Sequence, residues 1–336
     1  ELDLDRYAHV ERVLLRDALF SPMNQVRTPR VLKRLGIDLF HSPNYMIPLR
    51  TFPRNRRGNI ACVVTIHDVI PMIFPEHAPK SRKARVYPLY RALMLEIGRR
   101  ADHIIADSEV SRHDVISHLK IPDRRADDVH TIPCGVSDDY RLLPARSVTP
   151  AHAPATRTIL YVGRMDPYKN IDTLLKALAL IREWCPFPVE LVIAGAPDPR
   201  YPHYPELARE LGIEDSLRWT GYITDEELLA LFGKADLLIH PSRYEGFGLQ
   251  VAEAMAAGVP VISSTGGSLP EVAGDAALMV EPDHVEGYAR HATEVLTSPD
   301  LWQKLSDAGR HQSAQFTWRR TAQETLKVYE RCKAGR

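Results

Sequence analysis

Two carboxylates eight positions apart, Glu245 and Glu253, bracket the segment Gly246, Phe247, Gly248, Leu249. The apolar run 237–240 ends at Pro241 and reads as a buried strand stopping at a loop. Residues 249–257 read as a helix closed by Gly258 and Pro260. Glu245 is therefore expected in the loop at a strand's C-terminal end, and Glu253 in the second helical turn. Gly246 and Gly248 allow backbone N–H groups to approach a ligand, and the helix N-terminus adds partial positive charge. A carboxylate at Glu253 can accept from two neighbouring ribose hydroxyls, and Glu245 can do the same for the hydroxyls of a transferred sugar. On spacing alone, two ordinary glutamates on a solvated helix explain the pattern equally well.

A second constellation tips the balance. Residues 158–163 read as a strand ending at Gly163, followed by Arg164, Lys169 and Asn170, then by a helix with apolar residues at 171, 174, 175, 178 and 181. Asn170 is expected as that helix's N-cap. Arg164 and Lys169 then stand in a loop at a strand end, where they can neutralise a departing diphosphate without a metal ion. In the other half of the chain, residues 61–67 form an apolar run whose last residue, His67, emerges with Asp68 at the edge where open α/β sheets place ligands. A histidine there can donate to a sugar hydroxyl or to developing charge, with Asp68 orienting or flanking it. It can also simply cap a loop. Asn44 and Tyr45, and residues 108–112, occupy equivalent strand ends as weaker cleft-lining candidates.

Taken together, Gly163 and Arg164 with Lys169 and Asn170, His240 to Ser242, Glu245 to Leu249, Glu253 to Met255, and Leu269 to Val272 resemble the retaining GT-B glycosyltransferases of glycosyltransferase family 4. The resemblance covers about residues 39–330 and leans towards mannosyltransferase-like members. It implies two Rossmann-like α/β domains with parallel sheets facing across an interdomain cleft. The N-terminal domain (1–145) would bind the acceptor, the C-terminal domain (155–315) the nucleotide-sugar donor, and a final helix (316–336) would pack back on the first domain. Arg164 and Lys169 would hold the diphosphate and Glu253 the ribose. Glu245 would hold the donor sugar, and the backbone of Phe247, Gly248 and Leu249 the sugar and phosphate oxygens. His67 and Glu245 would flank the anomeric carbon, with Asn44, Tyr45 and Asp68 towards the acceptor. The implied activity is transfer of a hexose, mannose favoured, from a nucleotide-diphosphate sugar to a glycan or lipid-linked acceptor. GDP-mannose is favoured over a UDP-sugar, with no metal and no other cofactor. A GT-B sugar-nucleotide epimerase or a non-catalytic sugar-nucleotide-binding protein is the alternative.

The elements needed to position these residues are present. Strand-like runs at 39–42, 61–67, 103–107 and 129–133 alternate with helical stretches. A proline-containing linker at 142–157 follows, and then strands at 158–163, 189–195, 217–221, 237–240, 259–263 and 277–280. The 336 residues, 44% hydrophobic and 26% charged, suffice for two cores. No apolar run spans a bilayer. The four cysteines lack C-x-x-C spacing and read as reduced thiols of a cytoplasmic protein.

Net charge is zero, but residues 1–150 carry 24 basic against 18 acidic side chains. The basic string Lys80 to Arg85 precedes an amphipathic segment at 86–97 that suits either a core helix or peripheral contact with the inner face of a membrane. Interleaved acids argue against nucleic acid, and no G-x-G-x-x-G follows a strand, which disfavours a nicotinamide dehydrogenase. One departure from the family pattern is the start of the chain. No opening strand or glycine-rich loop is present, residues 5–20 read as a helix from the middle of a domain, and an N-terminal piece is expected to be absent.

Overall fold

The computed structural model of the protein describes residues 8–15, 21–55, 58–75, 87–144, 156–195 and 198–334. In the N-terminal half, α1 (Asn24–Arg34) leads to β1 (Leu39–Ser42) and β2 (Ala61–Thr65). Next come the short α2 (Ile70–Ile73), α3 (Tyr87–Arg100), β3 (His103–Ala106), α4 (Glu109–His118), β4 (Val129–Thr131) and α5 (Asp138–Arg141). The four strands form a parallel sheet in the order β1-β2-β3-β4. All five residues of β2 and all four of β3 are buried, as in a sheet covered on both faces.

The C-terminal half begins with β5 (Arg157–Val162), α6 (Ile171–Trp184), β6 (Val189–Ala194), α7 (His203–Glu210) and β7 (Leu217–Trp219). It continues through α8 (Asp225–Phe232), β8 (Leu237–His240), α9 (Leu249–Ala257), β9 (Val261–Ser264), α10 (Leu269–Ala273), β10 (Leu278–Val280), α11 (Val285–Thr297) and α12 (Pro299–Ser313). Its strand order is β10-β9-β8-β5-β6-β7. The chain starts in the middle, steps outward to β7, then returns to the other side of β5 as β8. Connections on the two sides of the β5/β8 junction therefore diverge, and a crevice opens at the carboxyl ends of these two strands. Alternate residues of β5 serve two cores: Ile159 and Tyr161 face one way with Leu174 and Tyr288, and Leu160 and Val162 the other way with Val251 and Phe316.

The last helix, α13 (Trp318–Ala334), crosses back to the first sheet, where Val328 and Cys332 pack on Ala61, Val63, Ile105 and Ile132. Tyr329 hydroxyl lies 2.6 Å from His41 Nδ1, and Thr321 Oγ1 donates to Pro133 O at 2.8 Å. The Arg141 guanidinium holds the carbonyls of Ser313 and Phe316 at 2.9 and 2.8 Å, fixing the approach to this helix.

Three local expectations change. Residues 8–15 form a turn and irregular chain rather than part of a helix, with Val10 and Leu14 exposed. The apolar face of α3, through Tyr90, Met94 and Ile97, is spent on the core beneath β2, and the basic string at 80–85 lies outside the described residues. Asn170 occupies the N-cap position of α6 but makes no capping bond. It adopts a left-handed φ of 61° and its side-chain amide donates to Pro282 O at 2.6 Å and Pro241 O at 3.2 Å. The cysteines are free thiols. Among the described residues, no helix is long and apolar enough to cross a membrane.

Removing the Tyr329 hydroxyl (Tyr329→Phe) deletes one bond of the crossing helix without creating a cavity, so urea unfolding should show a loss of about 1 kcal/mol. No change would mean that the Tyr329–His41 bond contributes nothing net to holding the helix.

Candidate functional site

The crevice between β5 and β8 holds a buried ion pair. Lys169 ends a short 3-10 turn after β5, and its Nζ donates to both oxygens of Glu245, in the loop after β8, at 2.6 and 2.8 Å. His240 Nε2, at the end of β8 and fully buried, approaches Glu245 Oε1 at 2.9 Å. Burial alone would raise the Glu245 carboxyl, but the Lys169 charge and the hydrogen bonds from His240 and Lys169 outweigh it and hold the group at about 2. Lys169 is raised despite burial, because Glu245 faces it. Ser268 pins the same loop, its backbone N–H and hydroxyl donating to Glu245 O at 3.1 and 3.0 Å. Glu245 is thus an ionised carboxylate with a donor on each oxygen and acceptor capacity left on Oε2.

Arg164 lies on the β5 loop with its side chain 73% exposed, its Nη2 3.0 Å from Asp166 Oδ2. Arg200, from the loop after β6, also reaches Asp166 at 3.4 Å. Three cations therefore gather on two adjacent strand-end loops, and Arg200 belongs to no motif that sequence reading would single out. Gly163, with φ 148°, begins the loop. Further along, Glu253 on α9 is half-buried and accepts from the Tyr140 hydroxyl. Burial, with Asp225 nearby and no cation opposing it among the described residues, raises its carboxyl to about 7. A carboxylate without a cation suits neutral hydroxyl donors. Phe247 turns its ring into the core, 5.4 Å from Phe316 edge to face, so only its backbone borders the crevice. Gly248 has φ 92°, a left-handed value that an L side chain rarely adopts, and Leu249 starts α9 from it.

The N-terminal half meets this loop directly. Ser108 Oγ donates to Gly246 O at 2.7 Å, and Ser111 Oγ lies 2.8 Å from the same carbonyl and 3.1 Å from His67 O. Glu271 accepts from the backbone N–H of Glu109 with both oxygens, at 3.1 and 3.0 Å, across the two halves. Tyr244 hydroxyl bonds Asp114, and Phe74 stacks on Tyr168 with centroids 6.4 Å apart. Of residues 108–112, weak candidates by sequence, Ser108, Glu109 and Ser111 bond the other half, while Arg112 bonds Val129 O and Ala126 O in its own.

His67 Nδ1 lies 2.7 Å from Asp107 Oδ2 and its Nε2 3.1 Å from Pro43 O. Its orienting partner is Asp107 from the end of β3, not Asp68. The Asp68 carboxylate accepts from the Ile70 N–H at 3.0 Å, and burial together with Glu245 raises it. Asp68 also feels Lys169, so the His67 loop and the ion pair face one another. The Asn44 side chain is engaged by Met46 N–H at 3.0 Å in its own turn, and Tyr45 packs edge to face on Tyr90 at 5.8 Å. Among the described residues, His67, Asp107 and Cys134 bring three metal-capable atoms within 4.8 Å of one another. There the imidazole and the thiol are already hydrogen-bonded to the Asp107 carboxylate.

Two parallel-sheet α/β domains whose strand-end loops meet, beside the β5/β8 crevice, are a GT-B architecture, and comparison with known proteins agrees. Residues 149–312 match the family described as "Glycosyl transferases group 1", and residues 2–140 match "Glycosyltransferase Family 4". The chain is 31% identical to the O-antigen chain mannosyltransferase B of Escherichia coli over 297 residues, covering 87% of this chain and 74% of that protein. It is 32% identical to the MMP alpha-(1->4)-mannosyltransferase of Mycolicibacterium hassiacum over 240 residues, 70% of this chain and 55% of that one. In fold it is similar to sucrose-phosphate synthase from Thermosynechococcus elongatus (TM-score 0.73, 24% identity, 96% of this chain and 81% of that chain). It is also similar to Anabaena HepE in complex with UDP-glucose (TM-score 0.70, 18% identity, 94% and 84%). The chain belongs to the family 4 glycosyltransferases, and it is a glycosyltransferase.

Three outcomes follow from the site's geometry. Lys169→Met leaves Glu245 buried without its cation and should cost about 3–5 kcal/mol of stability by urea unfolding, most of it recovered when Glu245→Gln is added. Equal losses in the single and double variants would show that the pair is not coupled. Glu245 titrates at about 2 in the fold against 4.5 as a free side chain, so its contribution is complete above pH 4.5 and is lost as pH falls from there towards 2. A Cβ on Gly246 would lie 2.5 Å from His67 O and 2.9 Å from Asp68 Cβ, so Gly246→Ala should push the halves apart and cost about 1–3 kcal/mol. Unchanged stability would mean that the two loops yield freely.

Proposed function

We propose that the protein is a metal-independent, retaining hexosyltransferase that moves mannose from GDP-mannose to a glycan or lipid-linked saccharide. The observation that carries this reading is the pairing of Lys169 and Glu245 over the β5/β8 crevice, with Arg164 beside them and His67 across from them. Arg164 and Lys169 would take the diphosphate, whose charge grows as the glycosidic bond breaks. Glu253 would take the ribose hydroxyls. Glu245 would grip the hexose hydroxyls, and the backbone at Phe247, Gly248 and Leu249 would meet sugar and phosphate oxygens.

The state of Glu245 supports same-face attack. A carboxylate held at about 2 with Lys169 and His240 on its oxygens is a weak base and a poor nucleophile. Attack by the acceptor on the face the phosphate leaves needs no protein nucleophile. The departing phosphate oxygen takes the acceptor's proton, and configuration is retained. The mannose preference is supported by the names of the two relatives described above, and a glycan acceptor by the O-antigen chain in one of them. A lipid-linked acceptor would bring the N-terminal half to a membrane surface, with Asn44, Tyr45 and Asp68 on its side of the cleft.

A thermal-shift panel should rank GDP-mannose above UDP-glucose, and transfer should survive EDTA. Stabilisation by UDP-sugars alone would reassign the donor. Replacing Arg164 and Lys169 together by alanine should abolish turnover, at about 3 kcal/mol of transition-state stabilisation per contact. Near-normal transfer in that variant would refute the diphosphate assignment. Because burial raises the Glu253 carboxyl to about 7, affinity for GDP should rise from pH 6 to pH 8 as its carboxylate forms, and Glu253→Gln should flatten that rise. An equal pH dependence in the variant would remove Glu253 from the ribose site.

A further inference from the structure

The carboxyl ends of the four N-terminal strands carry Pro43, His67, Asp107 and Cys134, one after each of β1, β2, β3 and β4, in the order in which the strands lie side by side. They form one hydrogen-bonded row along the sheet edge that faces the cleft. His67 Nδ1 lies 2.7 Å from Asp107 Oδ2, His67 Nε2 lies 3.1 Å from Pro43 O, and the Cys134 thiol bonds Asp107 from the other side. A carbonyl oxygen and a carboxylate only accept. An imidazole satisfies both partners only when both of its nitrogens carry protons.

We propose that Asp107 is a positioning residue that holds His67 as a doubly protonated imidazolium, so that His67 works in transfer as a charged hydrogen-bond donor and not as a base. This rests on the transferase reading given above. Asp107 is 5% exposed, which fixes its carboxylate, while the His67 side chain is 56% exposed and open to the cleft. Pro43 O occupies the direction in which Nε2–H donates. A sugar hydroxyl or phosphate oxygen entering the cleft takes that place, and the imidazolium meets it with its charge already present. The groups facing the ring agree. The Asp107 hydrogen bond raises the imidazole against the lowering effect of burial, and the Asp107 charge, the Pro43 carbonyl and Asp68 add to it. Cys134 is raised by burial and by Asp107 and stays a neutral thiol. Glu245 and Lys169 act across the cleft on Asp68, and their opposite charges offset one another there.

The test has a reading that does not depend on activity. In protein labelled with 15N-histidine, with His67 assigned by loss of its signals in His67→Gln, both ring nitrogens of His67 should be protonated at pH 7. Asp107→Asn keeps an acceptor oxygen but removes the charge, and should move the His67 titration down by about one pH unit or more. The falling limb of the transfer rate at alkaline pH should move with it, and Asp107→Glu should restore part of the shift. A singly protonated His67 in the wild type at pH 7, or the same titration in Asp107→Asn, would overturn the proposal. So would a pH–rate profile that does not follow the imidazole titration. If no nucleotide sugar is turned over under any condition, the transferase reading fails, and the nitrogen signals still decide the charge on His67.

Discussion

The site depends on one buried contact, the Lys169 ammonium against the Glu245 carboxylate, each about nine-tenths removed from solvent. Taking two opposite charges out of water is costly unless geometry and further hydrogen bonds compensate, and here His240 and a two-oxygen contact from Nζ do so. The strand order dictates where this pair stands. β5 and β8 are neighbours in space but about eighty residues apart in sequence, and their connections leave in opposite directions. The loops after them border the same crevice, one carrying the cations and the other the carboxylate.

The second domain completes what the first begins. The Gly246 carbonyl, one residue beyond Glu245, is held by Ser108 and Ser111 from the N-terminus of α4, and Gly246 has no side chain to keep the His67 loop away. The donor loop and the His67 loop are therefore braced against each other. The Glu271 contact with the Glu109 N–H uses the same physics, a carboxylate at the positive end of a helix. Helix α13 ties the far end of the chain to the first sheet through Val328, Cys332 and Tyr329, so the halves are joined at two separated places.

Much of this is legible in the sequence. Short apolar runs bounded by Gly and Pro placed the strands to within a few residues. Lys169 and Glu245 stand out because charged residues at strand ends in an alternating α/β pattern have few structural reasons to be there. Other features depend on distant partners, which local periodicity cannot show. Asp107 looks like any loop acid until β3 is known to lie beside β2. Arg200 carries no motif, and only the order of the strands brings it to Asp166. Asn170 has the residue type of a helix cap, yet tertiary partners at Pro241 and Pro282 claim its side chain. Residues 8–15 have the apolar content of a helix, yet Val10 and Leu14 stay exposed in an irregular segment. Start of β9 at Val261, two residues later than expected, follows from Pro260, which has no N–H for a ladder.

A crystal structure with a nucleotide-diphosphate sugar bound tests the central claim most directly. The diphosphate oxygens should lie within hydrogen-bonding distance of Arg164 and Lys169, the ribose hydroxyls on Glu253 and the hexose between Glu245 and His67. A ligand lodged elsewhere, or one that leaves Lys169 and Glu245 untouched while the protein transfers sugar, would contradict it.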